Sequence, residues 1–565
     1  MQKLHTPISG FFSVLALSGL AIFPLRADVK MPSIFGDHMV LQEGIDLPVW
    51  GKASPGEVVT VTVGEQKAEA TADAQGAWMV KLNPLPASGQ PVDLQVTGSN
   101  SLVFHDVLAG DVWLCSGQSN MVFGLGNASN ASEAIPQANY PGIRLFMVGD
   151  QAPRQPATNC KGQWRVCTPD NVKIGGWNGF SAVGYFFGRE LYEKEQKPIG
   201  LIQTAFNGTP IEAWTSLEAL QSNPTVAHYA ADFIHMRDFH DQLKQEFINT
   251  VLPGWQRADD AWQQKYGGAY AEALKQWQAQ ADTATQNGEP APPKPKPEEP
   301  EPKRPYFVGD SESQPSVLYD GMINPLIPYG IKGAIWYQGE GNANTRERAA
   351  EYAALLPLMI NDWRQRWGKE VPALAQFPFV YVQLASYGYG WLFPVVRNAE
   401  LKTLSLPNTG MAVALDVGNE QSIHPTDKLT VGHRLALAAR HAAYGENLVY
   451  SGPIYDSMKV EGSKMRIRFT GIGSGLMIGA APPDSPSAPP AAPESALQGF
   501  SIAGSDGKFG PAQAAIDGNA VLVWNAHIPQ PTAVRYGWAG FPKPPVNLYN
   551  KEGLPASPFA TDIRP

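Results

Sequence analysis

Three short segments carry side chains that together suit acyl transfer. Ser119 lies in Cys115-Ser116-Gly117-Gln118-Ser119-Asn120-Met121, directly after the apolar stretch Val107 to Leu114. A strand that ends in small residues presents its next side chain at the rim of a sheet, where open α/β folds bind ligands and a hydroxyl can reach substrate. His424, in Gln421-Ser422-Ile423-His424-Pro425-Thr426-Asp427-Lys428, follows the apolar run Met411 to Leu415 and precedes a helical pattern. On that loop it faces the same rim, so its Nε2 can take the serine proton and return it to a leaving alcohol. The third segment, Ile335-Trp336-Tyr337-Gln338-Gly339-Glu340-Gly341-Asn342-Ala343, again ends a strand. Acyl transfer needs donors aimed at the developing oxyanion; the Gln338 side-chain amide and the backbone amides of Gly208 and Ser119 are the candidates. Read singly, Ser119 is equally a Ser-Asn turn, His424 a loop histidine beside Pro425, and Gln338 and Glu340 loop anchors.

These residues need a scaffold, and the chain alternates in the way a parallel sheet requires. Ser181 to Glu195 reads as a helix with Val183, Phe186, Phe187 and Leu191 inward, followed by the strand Ile199 to Ile202. A second instalment comprises Ile331 to Tyr337, Phe379 to Leu384, Met411 to Leu415 and the helix Lys428 to Tyr444. Before the first instalment, residues 28–105 alternate apolar and polar positions between Gly, Pro and Asp turns, which predicts a β-sandwich. The sandwich runs without a linker into the strand leading to Ser119. The core is thus expected over 106–216 and 316–450, split by an insertion at 217–315 and followed by a C-terminal β domain at 451–565. The insertion is polar and helix-like, with Trp255, Trp262 and Trp277, and closes on an alternating Pro and charge run from Pro290 to Pro305 that should be extended and mobile. It reads as a surface excursion packing its Trp residues on itself, with a lid or glycan platform as the other reading.

Composition narrows the partners. Charged residues make up 17% of the 565, below the roughly 25% typical of soluble domains. A net charge of -9 with scattered Lys and Arg leaves no basic stripe, which argues against nucleic acid. Neutral glycans fit better, because 15 Trp and 19 Tyr can supply ring faces and hydrogen bonds. Residues 1–27, with Lys3, an apolar run from Ile8 to Leu25 and Ala27, read as a signal peptide, so an exported protein, periplasmic or secreted, without stable membrane insertion after cleavage is expected. An uncleaved anchor is the competing reading. Among three cysteines, Cys160 and Cys167 enclose six residues and are expected to form a disulfide, leaving Cys115 as a buried thiol.

Taken in order, Gly117-Gln118-Ser119-Asn120-Met121, Leu318-Tyr319-Asp320-Gly321-Met322-Ile323, Trp336-Tyr337-Gln338-Gly339-Glu340, Ser422-Ile423-His424-Pro425 and the tail Asn547 to Phe559 resemble the SGNH hydrolase superfamily, specifically the sialate O-acetylesterase-like carbohydrate esterases. The resemblance implies a flavodoxin-like three-layer α/β/α core, Ser119 as nucleophile, His424 as base, and Gly208 and Gln338 at the oxyanion positions. It implies no metal, and no cofactor is expected. Many SGNH enzymes place Asp three residues before the histidine, where this chain has Gln421. The group orienting His424 therefore stays open among Glu340, Asp416, Glu420 and a backbone carbonyl. The expected activity is hydrolysis of acetyl esters on glycans such as xylan, xyloglucan or O-acetylated sialic acid. No Arg cluster stands out for a sialate carboxylate, Arg397 being the one residue kept in view for it, and with the abundant aromatics this tilts the reading toward an acetylated neutral glycan. Competing readings are a lipid esterase or thioesterase on the same fold, an inactive glycan-binding protein, and a glycosidase, for which Glu340 lacks a second carboxylate. The sequence does not address oligomeric state.

Overall fold

The structure is a computed structural model that describes residues 28–287, 289–482 and 496–563. The expected signal segment 1–27 and most of the expected Pro-rich loop from Ala481 to Pro493 lie outside the described residues. The chain is a mixed α/β protein with a β-rich C-terminal region.

Its amino-terminal strands are β1 (Val40–Gln42), β2 (Leu47–Lys52), β3 (Val58–Val63), β4 (Gln66–Thr71), β5 (Ala77–Leu82) and β6 (Ser88–Thr97). Period-two alternation drives their packing: Val59, Val61 and Val63 of β3 are buried while Val58 is exposed. β2 pairs with β5, and β3 pairs with β4 and β6.

β7 (Ser101–Gly117) links this region to the central sheet. Its first half alternates exposed and half-buried residues against β6, and its second half is buried throughout, as a strand flanked on both sides must be. The expected boundary between residues 105 and 106 falls inside this one strand. There Asp106 adopts φ 55, and its carboxylate takes a bidentate pair from Arg144 at 2.7 and 3.1 Å and a contact from His38 Nδ1 at 2.7 Å.

The central sheet continues with β8 (Tyr140–Met147), β9 (Trp164–Cys167), β10 (Ile199–Ala205), β11 (Gly333–Tyr337), β12 (Phe379–Gln383) and β13 (Thr409–Val413). Its order is β13-β12-β11-β7-β10-β8-β9, parallel except for β9 at the edge. Direction of growth reverses at β7: β10 joins one side, and β11, β12 and β13 extend the other. Open parallel sheets leave a crevice at the carboxyl ends of the strands where the order reverses, so the fold itself places a binding site at the end of β7.

Helices Ala182–Glu195 and Lys428–Tyr444 pack together, with Gly432 against Phe186 and Phe187. Helices Arg346–Glu370 and Phe393–Thr403 form a second pair. The insertion holds helices including Leu252–Trp262 and Gly268–Gln286. Its Pro run is extended, as its composition requires, but is tied down: Trp255, Trp262 and Trp277 donate their indole N–H to the carbonyls of Pro302, Glu299 and Pro292 at 3.0, 2.8 and 2.8 Å. The pairing is antiparallel and in step. Helical rise carries the chain about 33 Å from Trp255 to Trp277, and polyproline II rise carries it about 31 Å from Pro292 to Pro302.

Cys160 and Cys167 do not pair, which corrects the disulfide expectation; all three cysteines are free and buried. Cys167 ends β9 opposite Tyr140 and directs its thiol to the Ala138 carbonyl at 3.8 Å. Burial pushes the Cys160 and Cys167 thiols up to about 11 and about 12. No helix among the described residues is long and apolar enough to cross a membrane.

Candidate active site

The turn that carries Ser119 is set by Gly117, the last residue of β7. It sits at φ 136 with the position of a Cβ only 2.2 Å from the Tyr337 carbonyl oxygen, so only glycine lets β7 and β11 close here. Gln118 N–H donates to that same carbonyl at 2.9 Å, and Gln118 Oε1 accepts from Gly341 N–H at 2.9 Å. The chain then turns into the short helix Ser119–Val122. A first helical residue has no intrahelical acceptor for its N–H. Among the described residues neither Ser119 N–H nor Gly208 N–H has an acceptor. Gly208 follows β10 at φ 69, with open space where a side chain would stand.

His424 Nε2 lies 2.9 Å from Ser119 Oγ although 305 residues separate them. The histidine loop is shaped locally. Asn419 Oδ1 accepts from Gln421 and Ser422 N–H at 2.8 and 3.0 Å, and Ser422 Oγ accepts from His424 N–H at 3.1 Å. Trp177 stands edge-on to the imidazole at 4.7 Å between centroids. Burial, aided by the Lys428 charge, pulls the imidazole down to about 4. It is thus neutral, and able to accept a proton, across the ordinary pH range.

None of the three carboxylates considered for orienting His424 reaches it. Asp416 is held by Arg434 at 2.6 and 2.8 Å and by the Tyr549 hydroxyl at 3.0 Å. Glu420 pairs with Lys543. Glu340 lines the cavity but accepts from Asn120 Nδ2 at 2.5 Å. Among the described residues no group, carboxylate or carbonyl, hydrogen-bonds His424 Nδ1.

Gln338 does not stand at an oxyanion position and takes the loop-anchoring role of its two readings. It is fully buried, and both amide hydrogens are used, on the Thr209 carbonyl at 3.2 Å and Asn342 Oδ1 at 2.8 Å, while Oε1 accepts from Tyr352 at 2.9 Å. It braces the turn that carries Gly208 and does not face the cavity. The side-chain amides that do line the cavity are those of Gln118, Gln203 and Asn207, and Asn207 is next to Gly208 in sequence. Arg397 is likewise internal. Its guanidinium donates to the carbonyls of Leu384, Ala385, Ala539 and Gly540, so it is not available to a substrate carboxylate.

Sequence reasoning missed a buried chain behind the serine. Lys428 Nζ donates to Asn120 Oδ1 at 2.6 Å, and Asn120 Nδ2 donates to Glu340 Oε1 and to the Ile423 carbonyl at 3.1 Å. The residue after Ser119 thereby holds the residue before His424. Burial pulls the Lys428 ammonium down to about 7 and pushes the Glu340 carboxyl up. Lys428 also lies over the rings of Phe123 and Tyr337, at 4.7 and 5.2 Å. Both Asn120 and Lys428 stand in the motifs, but 308 residues apart, with no spacing signal to join them.

The cavity in front of Ser119 has a volume of about 810 Å³, far more than an acetyl group fills. Its charged lining is acidic, Asp150 and Glu340, with no Lys or Arg among the described lining residues. A hydroxyl hydrogen-bonded to a neutral imidazole, beside free backbone N–H groups in a roomy cleft, is equipped for ester hydrolysis.

Comparison with known proteins agrees with this chemistry. The family model "Carbohydrate esterase, sialic acid-specific acetylesterase" matches residues 109–287 and 312–441. The sialate O-acetylesterase of Rattus norvegicus is 32% identical over 463 residues, covering 75% of this chain and 76% of the relative. That of Homo sapiens is 31% identical over 473 residues, covering 78% and 76%. The crystal structure of a carbohydrate acetylesterase from Xanthomonas citri superimposes with a TM-score of 0.73 at 34% identity, covering 95% of this chain and 100% of that one. The matched segments bracket the insertion's Pro run and hold both Ser119 and His424, and the chain therefore belongs to the sialic acid-specific acetylesterase family of carbohydrate esterases.

Proposed function

We propose that this esterase removes acetyl groups from neutral glycans through an acetyl-Ser119 intermediate, and that it works after export directed by residues 1–27. The observation that carries the mechanism is the 2.9 Å contact between Ser119 Oγ and His424 Nε2. The serine proton passes to Nε2 as Oγ attacks the acetyl carbonyl. Negative charge on the carbonyl oxygen is met by Ser119 N–H and Gly208 N–H, with the Asn207 amide as the side-chain donor in place of Gln338. The imidazolium returns its proton to the departing sugar oxygen, and a water activated by His424 releases acetate and restores the serine. The pair acts as a dyad, its ring held by the Ser422 hydrogen bond to the backbone and the Trp177 edge.

Two further observations support the finer parts of this reading. Trp113 and Ser116 of β7 lie three residues apart and so point to opposite faces of the sheet. Trp113 packs on Phe187 at 5.0 Å, whereas Trp336, opposite Ser116, packs on Trp363 at 6.0 Å. Helices on both faces and the order β10-β7-β11-β12-β13 support the flavodoxin-like, SGNH-type layering. Two carboxyls, with no Lys or Arg among the described lining residues of the cavity, disfavour a sialate carboxylate and favour an uncharged sugar.

Ser119→Ala and His424→Ala are each expected to lower kcat on an aryl acetate by about 10³-fold or more. Either variant turning over within tenfold of the parent would overturn the mechanism. Acetate release from acetylated xylan, xyloglucan and a sialoside ranks the substrates.

A further inference from the structure

The loop after β12 exposes two large aromatic side chains: among the described residues Tyr389 is 71% exposed and Trp391 66%. Exposure of that much ring surface is unusual for a segment so firmly held. Tyr387 N–H donates to the Gly540 carbonyl at 3.0 Å, Gly388 N–H to the Glu420 carbonyl at 3.1 Å, and Ser386 Oγ to the Leu415 carbonyl at 2.6 Å. The buried Arg397 guanidinium fastens both flanks, bonding Leu384 and Ala385 on one side and Ala539 and Gly540 on the other. Tyr389 and Tyr387 are in ring contact at 5.6 Å. The backbone is therefore fixed while the ring faces point to solvent, the arrangement that binds flat apolar surfaces at low entropic cost.

Position says what the rings face. The loop leaves the carboxyl end of β12, two strands from β7, which is about 10 Å from the strand end that carries Ser119. Its Gly388 N–H bonds the Glu420 carbonyl, four residues before His424, so it is fastened to the loop that carries His424. The nearby charges, Glu420 and Lys543, neutralise each other. An uncharged aromatic shelf one or more sugar lengths from the ester suits the apolar faces of pyranose rings.

Resting on the esterase reading above, we infer that Tyr389 and Trp391 form a stacking subsite for the chain of a neutral oligosaccharide or polysaccharide whose acetylated residue sits at Ser119. The subsite makes the enzyme chain-length selective.

The test measures kcat/KM for wild type, Trp391→Ala, Tyr389→Ala and Trp391→Phe on an aryl acetate and on ladders of acetylated xylo-, cello- and xyloglucan oligosaccharides. Wild-type kcat/KM is expected to rise with chain length on at least one ladder. The alanine variants should lose about tenfold on its longest member and nothing on the aryl acetate, and Trp391→Phe should retain most of the gain. No dependence on chain length, or alanine variants equal to wild type on every ladder, would overturn the inference, as would an equal loss on the aryl acetate. If wild type releases no acetate from any ester, the esterase reading fails by itself. Calorimetry with the same unacetylated oligosaccharides then decides the subsite: weaker binding by Trp391→Ala supports it, and no binding by wild type refutes it.

Discussion

Asn120→Ala tests the buried chain behind Ser119 most directly, because one truncation removes every bond in it. Lys428 Nζ loses its acceptor at 2.6 Å, Glu340 loses its donor at 2.5 Å, and the Ile423 carbonyl loses its donor at 3.1 Å. A buried polar group left unpaired costs about 1–3 kcal/mol, and a charged one more, so the summed loss over the three partners is ~3–9 kcal/mol of stability. That loss depends on pH, with a definite sign. The folded Lys428 ammonium titrates at about 7, below its ordinary 10.5, so between those values the unfolded chain holds the extra proton and stability rises with pH. Without the Asn120 acceptor the ammonium is disfavoured further. The deficit of the variant should therefore be larger at pH 6, where the group is charged, than at pH 8. Activity falls for a second reason. The Ile423 carbonyl is the tie between the turn of Ser119 and the loop of His424, and a shift of about 1 Å between base and nucleophile costs on the order of 10²-fold in kcat. Urea denaturation at the two pH values, with kcat on an aryl acetate under native conditions, reads both effects. A double-mutant cycle with Lys428→Met should give a coupling of about 1–3 kcal/mol. Retention of kcat within threefold, a deficit independent of pH, or additivity in the cycle would each refute the reasoning.

The acid limb of kcat/KM should fall near pH 4, since catalysis requires neutral imidazole and burial with the Lys428 charge pulls His424 down to about 4; a limb between pH 6 and 7 would show the ring to be solvated. In the insertion, Trp262→Phe removes the donor to the Glu299 carbonyl while keeping the ring, so cleavage of the Glu298–Glu299 bond by a glutamyl endopeptidase should accelerate about tenfold. Activity on an aryl acetate should not change, and unchanged proteolysis would mean the indole bonds do not hold the strap. Thiol titration under native, non-reducing conditions should find all three cysteines unreactive, and denaturation should release three free thiols; recovery of only one would restore the Cys160 to Cys167 disulfide.

Much of the scaffold is legible in one dimension. The apolar runs at Val107 to Leu114, Phe379 to Leu384 and Met411 to Leu415 fall on β7, β12 and β13, and the helix read from Lys428 to Tyr444 spans those same residues. Local side-chain patterning sets these elements, so it can be read locally. Ser119 and His424 were also within reach, because both follow a strand and strand ends of a parallel sheet converge on one rim. The Trp residues of the insertion pack within it, as its composition suggests, but their hydrogen bonding to the Pro run depends on helical and polyproline rises staying in step over about 30 Å.

What the sequence by itself determined is therefore the set of elements, the family and the two residues that meet at 2.9 Å. Only the tertiary structure decided how the polar groups around them are spent. Gln338, Arg397, Asp416 and Glu420 all carry plausible functional chemistry as isolated residues. Each is claimed by a neighbour distant in sequence: Thr209, Ala539, Arg434 and Lys543. Asn120, Lys428 and Asn207 gain their places the same way. The reason is that a buried donor or acceptor must find a partner, and which partner it finds depends on the packing of the whole chain rather than on the residues beside it.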